Sequence, residues 1–281
     1  MEGQGESHGA LTVVNAVATG RGAALGVHLK VKAKVYLKKL GSNTSTHRKD
    51  LVGVLCERVF DYLGVKGLAA SSEVSTQIPA SVGMKSSSSV ANALILALAD
   101  ALGVKLSSNE VLMLNVESSR RAGVTYTGAL DDAAACLLGG VQVTDNRNDR
   151  IVCSYSAKDE KVVFLVPYGY MRPDVNSCIS SSLRENVSTA YSLALRGRYH
   201  DAINLNGSVY SAALGYPGEP SVVALRNGAT AAGLTGNGPA YAALVSSSSL
   251  ASLVDAWSGL GKTMVTEVYN GPGSGRVGFD V

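Results

Sequence analysis

Residues 79–93 read PASVGMKSSSSVANA: a proline, a glycine four residues later, and four successive serines running into an alanine-rich apolar stretch. Few local structures accommodate that order. Gly83 turns the backbone without a Cβ penalty. The serines then fall where the first N–H groups of a helix lack partners inside it, at the positive end of its dipole. One reading is an anion cradle, in which N–H donors and hydroxyls surround a triphosphate. The other is a serine-rich loop that only caps a buried helix. The familiar phosphate loop G-x-x-x-x-G-K-[ST] is absent, because Lys85-Ser86 has no glycine immediately before it.

The remaining composition excludes several alternatives. A chain of 281 residues is long enough for one large or two moderate domains with substantial cores. No uninterrupted apolar run approaches the roughly 20 residues that span a bilayer, so no membrane partner is expected. The first residues, MEGQGESHGALTVV, carry acidic groups and no basic region ahead of the apolar stretch, unlike a signal peptide. A net charge of +3 with 6% aromatics is too weak a basic signal to imply nucleic acid. Cys56, Cys136, Cys153 and Cys178 are scattered, with no C-x-x-C, which suits a reducing cytoplasm rather than a zinc site or disulfide framework.

Along the chain, residues 27–37 (VHLKVKAKVYL) alternate strictly, with Val27, Leu29, Val31, Ala33, Val35 and Leu37 on one face and His28, Lys30, Lys32 and Lys34 on the other. This predicts a half-exposed strand whose lysine row is a solvated face that discourages edge pairing; an RNA-binding face is the alternative. Helical spacing of Leu51, Val54, Leu55, Val59 and Leu63 predicts a helix over 50–63. The serine-led helix should end at Gly103, and Ser107 with Glu110 forms a capping box for the next. A loop from 126 leads into a buried helix stopped by Gly139-Gly140. The polar run SYSAKDEK at 154–161 separates two halves, at 1–155 and 156–281. The second restarts with the apolar strand KVVFLVPY, followed by helices near 183–196 and 199–213, a short strand into residues 233–239, and a strand at 241–245. Strands and helices mixed in each half read as α+β.

Two adjacent carboxylates, Asp131 and Asp132, lead the alanine-rich helix in TGALDDAA at 127–134. Burying them is costly without partners. They are a base and its supporting neighbour in either assignment, or helix caps. Lys85 places a cation inside the cradle, or is a solvated lysine beside a turn.

The 79–93 segment resembles the second motif of the GHMP kinases, P-x-x-x-G-L-G-S-S-A, with Pro79, Gly83, Met84, Ser86 and Ser87 on the motif and Lys85 in place of its middle glycine. GLTGNGP at 233–239 resembles the third, glycine-rich motif, and GALTVVNAVATGRGAA at 9–24 looks like a degraded first motif. The three occur in the family's order. Together with the doubled aspartate and the motif-two lysine they are similar to the archaeal shikimate kinase branch.

That resemblance implies a two-domain GHMP kinase fold, ribosomal S5-like over 1–155 and ferredoxin-like over 156–281, with the site between the domains. It implies ATP and Mg2+ as cofactors and phosphorylation of the 3-hydroxyl of shikimate. Homoserine or a mevalonate-type acceptor, and a non-catalytic S5-like RNA-binding or regulatory protein, are the alternatives. Nucleotide contacts are implied for Pro79, Ala80, Ser81, Val82, Gly83 and Met84. They continue through Lys85, Ser86, Ser87, Ser88 and Ser89. The family's metal-binding serine and glutamate fall on Ser87 and Glu117, though Glu117 reads equally as an exposed helical residue. The family's base lies seven residues before the glycine ending its helix, which lands on Asp132, with Asp131 and Lys85 beside it. Where relatives carry a lysine and a glutamate in the first motif, this chain has Ala10 and Ala16. That leaves open whether the aspartate has a lysine partner, and Lys85 is the candidate to compensate. Shikimate's carboxylate calls for a cation. Arg21, Arg147 and Arg172 lie near loops that could line the cleft, with Arg21, Thr127, Thr235, Gly236, Asn237 and Gly238 as the implied acceptor contacts. The oligomeric state is open between monomer and homodimer.

Overall fold

The computed structural model describes residues 1–40, 50–169, 178–271 and 277–278. The first sheet is organised around one long strand, β2 (Arg21–Lys39), next to β1 (Glu2–Val14). Along its other side β2 pairs first with β4 (Val141–Asp145) and further on with β3 (Leu68–Thr76), all antiparallel. β5 (Arg150–Tyr155) pairs with β4, and the short β10 (Val277–Gly278) returns from the C-terminal part to pair with β5. The alternation expected over 27–37 holds residue by residue, with the apolar set buried and the lysines exposed. The edge reading of that strand does not hold, because β2 is internal. Its lysine row lies on a solvated sheet face, where Lys30 reaches Glu6 of β1 at 2.8 Å.

Against the other face lie α2 (Ser86–Ala101) and α4 (Leu130–Leu138), and α1 (Leu51–Tyr62) and α3 (Ser108–Arg121) pack on these helices from outside. Asp50 caps α1, and the capping box at Ser107 and Glu110 opens α3 as its sequence predicts. α2 sits directly on β1. Gly3 and Gly5 make this possible: a Cβ at Gly5 would collide with the Ala93 carbonyl oxygen, and one at Gly3 with the Ala101 amide nitrogen. A residue pattern that weakens β1 as a strand therefore serves its contact with the helix.

The second sheet has the order β7 (Ala229–Leu234), β8 (Tyr241–Val245), β6 (Lys161–Pro167), β9 (Gly261–Glu267), again all antiparallel. Helices α5 (Ser181–Leu195), α6 (Tyr199–Leu214) and α7 (Glu219–Arg226) connect β6 to β7, and α8 (Leu250–Trp257) connects β8 to β9. Numbered within this sheet, the order is 2-3-1-4 with crossovers after the first and third strands, the ferredoxin-like arrangement. The chain is thus α+β with two sheets. α6 spans both: Gly207 lies against Gly233 of β7, and the buried Tyr210 hydroxyl accepts from the Ala18 amide (3.1 Å) and donates to the Asn15 carbonyl (3.2 Å).

A methyl group at Gly5 has nowhere to go but into helix backbone. Gly5→Ala should lower unfolding stability by about 1–3 kcal/mol, the usual cost of overpacking. Denaturant melts compared with a Gly64→Ala control, a position whose Cβ direction is open but whose φ is +66°, separate collision from backbone strain.

Candidate functional site

Three loops distant in sequence meet at one place. At Gly83 φ is +91°, and a Cβ there would strike the Thr235 carbonyl oxygen; a Cβ on Gly236 would lie 2.9 Å from the Gly83 Cα. The Thr235 hydroxyl donates to the Gly83 carbonyl (3.2 Å) and accepts from the Thr12 amide (3.1 Å). Thr12 in turn accepts from the Gly236 amide at 2.7 Å, and the Ala240 amide donates to the Val82 carbonyl at 3.1 Å. Asn15 adds bonds to the Gly236 carbonyl (2.9 Å) and the Asn237 side-chain oxygen (2.8 Å).

These contacts frame a cleft of about 430 Å³. Its wall includes Asn15 to Val17, the cradle from Gly83 to Ser88 with Pro79 and Ser81, the loop from Gly123 to Thr127, the start of α4, and Gly236 with Asn237. α2 opens into it. Lys85, at φ +64°, precedes the first turn and supplies no side-chain cap, and Ser86, Ser87 and Ser88 of that turn lie in the cleft wall. Behind them, Asn115 donates to the Ser88 carbonyl (2.9 Å) and to Asn92 (2.7 Å), and Asn92 donates to the Ala133 carbonyl (2.9 Å). This buried chain fixes α2, α3 and α4 relative to one another.

Both aspartates lie in the first turn of α4 and in the cleft wall; the preceding Ala129 holds the N-cap position at φ +52° without a side-chain bond. Asp132 pairs with Lys85 at 2.8 Å, with the two side chains 17% and 10% exposed. Asp132 thus has a lysine partner, and it comes from the cradle. Asp131 is buried, and its Oδ1 accepts from the Asn146 amide at 2.8 Å. Its other oxygen fits against Gly22 of β2, where any Cβ would strike it. Loss of hydration, and secondarily the charge of Asp132, push the Asp131 carboxyl well above the usual carboxylate range, opposed by Lys85 and by the bond from Asn146.

The other sequence candidates divide clearly. Ser86, Ser87, Ser88, Thr127, Gly236 and Asn237 line the cleft. Ala80, Val82 and Ser89 are not in its wall; Ser89 is fully buried behind it, and Val82 serves through its carbonyl. Thr235 and Gly238 hold the glycine loop rather than face the cleft, Thr235 being fully buried. Glu117 is not brought there. Its carboxylate is turned to Arg58 of α1 at 2.5 Å. Arg21 is also outside the wall: half exposed, it stands 3.7 Å from Asp145 and over the Tyr191 ring. Arg147 pairs with the same Asp145 at 3.2 Å, and Arg172 lies outside the described residues. Asn15, Ser119, the 123–126 loop and Asn146 were not singled out from the sequence. Only Asn15 carried a signal there, as part of the first-motif stretch.

The raised Asp131 carboxyl has a stability consequence. A group that binds its proton more tightly folded than unfolded destabilises the fold progressively as pH rises from about 4 toward its folded value. Asp131→Asn keeps an acceptor for Asn146 but removes the buried charge. Its melting temperature relative to the parent chain should therefore rise between pH 5 and pH 8; a pH-independent difference would show that burial of this carboxyl carries no ionisation cost.

The model of the GHMP kinases N-terminal domain matches residues 50–140, which hold the cradle and both aspartates. A shikimate kinase of Methanosarcina mazei is 37% identical over 100% of this chain and 98% of its own length. One from Thermococcus kodakarensis is 39% identical, over 92% and 97% respectively. Among solved structures, the mevalonate kinase of Methanococcus jannaschii superposes with a TM-score of 0.73 at 14% identity, covering 96% of this chain and 98% of that one. The homoserine kinase of Cytophaga hutchinsonii gives 0.72 at 18% identity, over 95% and 96%. No helix among the described residues is long and apolar enough to cross a membrane.

Proposed function

Because the chain belongs to the GHMP kinases, in their shikimate kinase group, we propose that its cleft transfers the terminal phosphoryl group of ATP to the 3-hydroxyl of shikimate. The observation that carries this reading is the placement of Lys85: in the serine cradle, and paired with Asp132 at the start of α4. Phosphoryl transfer demands positioning and charge neutralisation, plus a group that orients or takes the acceptor's proton. The cradle N–H groups and the hydroxyls of Ser86, Ser87 and Ser88 suit the triphosphate. Asp132 takes or orients the proton of the attacking hydroxyl. Lys85, between them, offers its charge to the group in flight. Asp131 supports Asp132, and Thr127, Gly236 and Asn237 are the acceptor-side contacts.

Of the two oxygen donors inferred for magnesium, Ser87 fits, being exposed in the cleft wall. Glu117, paired with Arg58, does not. Mg2+ held by Ser87, the phosphates and water would neutralise charge on the nucleotide. We also place the boundary between the two domains at 155/156, and the reaction in the cytoplasm.

Purified protein should release ADP with shikimate and not with homoserine or mevalonate; turnover with either of those alone would reassign the acceptor. Asp132→Asn should lower kcat by about 10²–10⁴-fold with ATP affinity nearly intact. Lys85→Ala should lose on the order of 10²-fold. Wild-type turnover in both variants would remove these residues from the chemistry. A dead Asp131→Asn beside an active Asp132→Asn would exchange the two carboxylates' roles.

A further inference from the structure

We propose that Asn146 is a positioning residue for the transfer, holding the Asp131 carboxyl and the Thr127 hydroxyl in one fixed geometry at the cleft. Asn146 follows β4 directly, is 1% exposed, and does not line the cleft itself. Its side-chain amide has two donor hydrogens and one oxygen, and all three are engaged. The nitrogen donates to Asp131 Oδ1 (2.8 Å) and to Thr127 Oγ1 (3.2 Å); the oxygen accepts from the Thr144 hydroxyl at 2.6 Å. Both donated bonds end on cleft residues.

The backbone of Asn146 is anchored as firmly. Its N–H donates to the Gly20 carbonyl (2.9 Å), and its carbonyl accepts from Arg120 (2.9 Å). The same Arg120 nitrogen donates to the Thr127 carbonyl (3.2 Å), while the guanidinium holds Asp149 through two nitrogens at 2.6 and 2.7 Å. Thr127 is thus gripped at its carbonyl and at its hydroxyl, and one asparagine couples that grip to the buried carboxyl. A displacement of this amide moves both groups together, and misplacing a reacting assembly by an ångström costs rate steeply. The charged and titratable groups around Asp131 are Asp132 and Cys136 on its own helix, Lys85 from the start of α2, and Tyr210 from α6.

This inference rests on the kinase reading for its catalytic consequence, so it is tested on two independent scales. Without any substrate, melting temperatures are measured from pH 5 to pH 8. In Asn146→Ala the ionised form of Asp131 loses its donor, so the fall in melting temperature with rising pH should steepen; adding Asp131→Asn should flatten it. An unchanged slope in Asn146→Ala overturns the proposal whether or not the chain phosphorylates shikimate. The second scale is steady-state kinetics on the near-isosteric Asn146→Asp and on Asn146→Gln, which keeps the donors on a longer arm. In Asn146→Asp, kcat should fall about tenfold or more with a raised KM for shikimate and an ATP KM near the parent value. The acid limb of its kcat/KM profile should move upward, since a carboxylate placed against Asp131 raises the proton affinity of that group. Asn146→Gln should recover part of the rate. Equal losses toward both substrates, tracking the unfolded fraction, overturn the proposal by reducing Asn146 to packing. If the parent chain turns over no acceptor, the kinase reading fails while the melting series still judges the contact between Asn146 and Asp131.

Discussion

Backbone rests directly on backbone where the serine cradle meets the glycine loop, and the cleft depends on that contact. With no side chain at Gly83 or Gly236, the two loops approach until the Thr235 hydroxyl can bridge them and Thr12 can bond both Thr235 and Gly236. The three segments are held by strands and helices of two different sheets. A cleft assembled this way is stiff, because moving one wall breaks hydrogen bonds shared with the other two.

The polar groups behind the cleft follow the same economy. Asn92, Asn115 and Ser88 spend their hydrogen bonds on fixing helix positions, and Asn15 spends its bonds on the glycine loop. Against this rigid frame the carboxylates are arranged unequally. Asp132 has an ammonium beside it, whereas Asp131 has an amide and a glycine-shaped recess. Burial of an unpaired carboxyl is unfavourable. Its retention next to a paired one is the kind of local strain that folds tolerate at sites of chemistry. The unlike surroundings make two chemically identical neighbours inequivalent.

Much of this was legible in the chain. The period-two run at 27–37, the capping box at Ser107 and the glycine stop at Gly139 specify their elements locally, and the structure has them where the residues place them. Residues of all three motifs and the aspartate pair meet at the cleft. What stayed hidden was long-range. β1 is disguised by Gly3, Gly5 and Gly9, which lower strand propensity and whose purpose shows only once α2 and neighbouring side chains lie against them. Asn146 has no local signature, because its importance comes from a partner 15 residues away. Glu117 and Arg21 were misplaced for a related reason: spacing puts a charge on an element, and only packing decides that Arg58 or Asp145 takes it.

β2 serves two masters along its length. Near its start Gly22 accommodates Asp131, and further on its residues alternate between a dry helix-packed face and a wet one, while three strands share its edges. Side chains in a strand change face with every residue. The gain or loss of a single codon after Gly22 would therefore turn the lysines into the helix layer, and one before it, if the register slipped to compensate, would bring the flank of Arg21 or Ala23 under the carboxyl. Descendants of this gene can vary the lengths of its loops, but the spacing along this one strand is inherited whole.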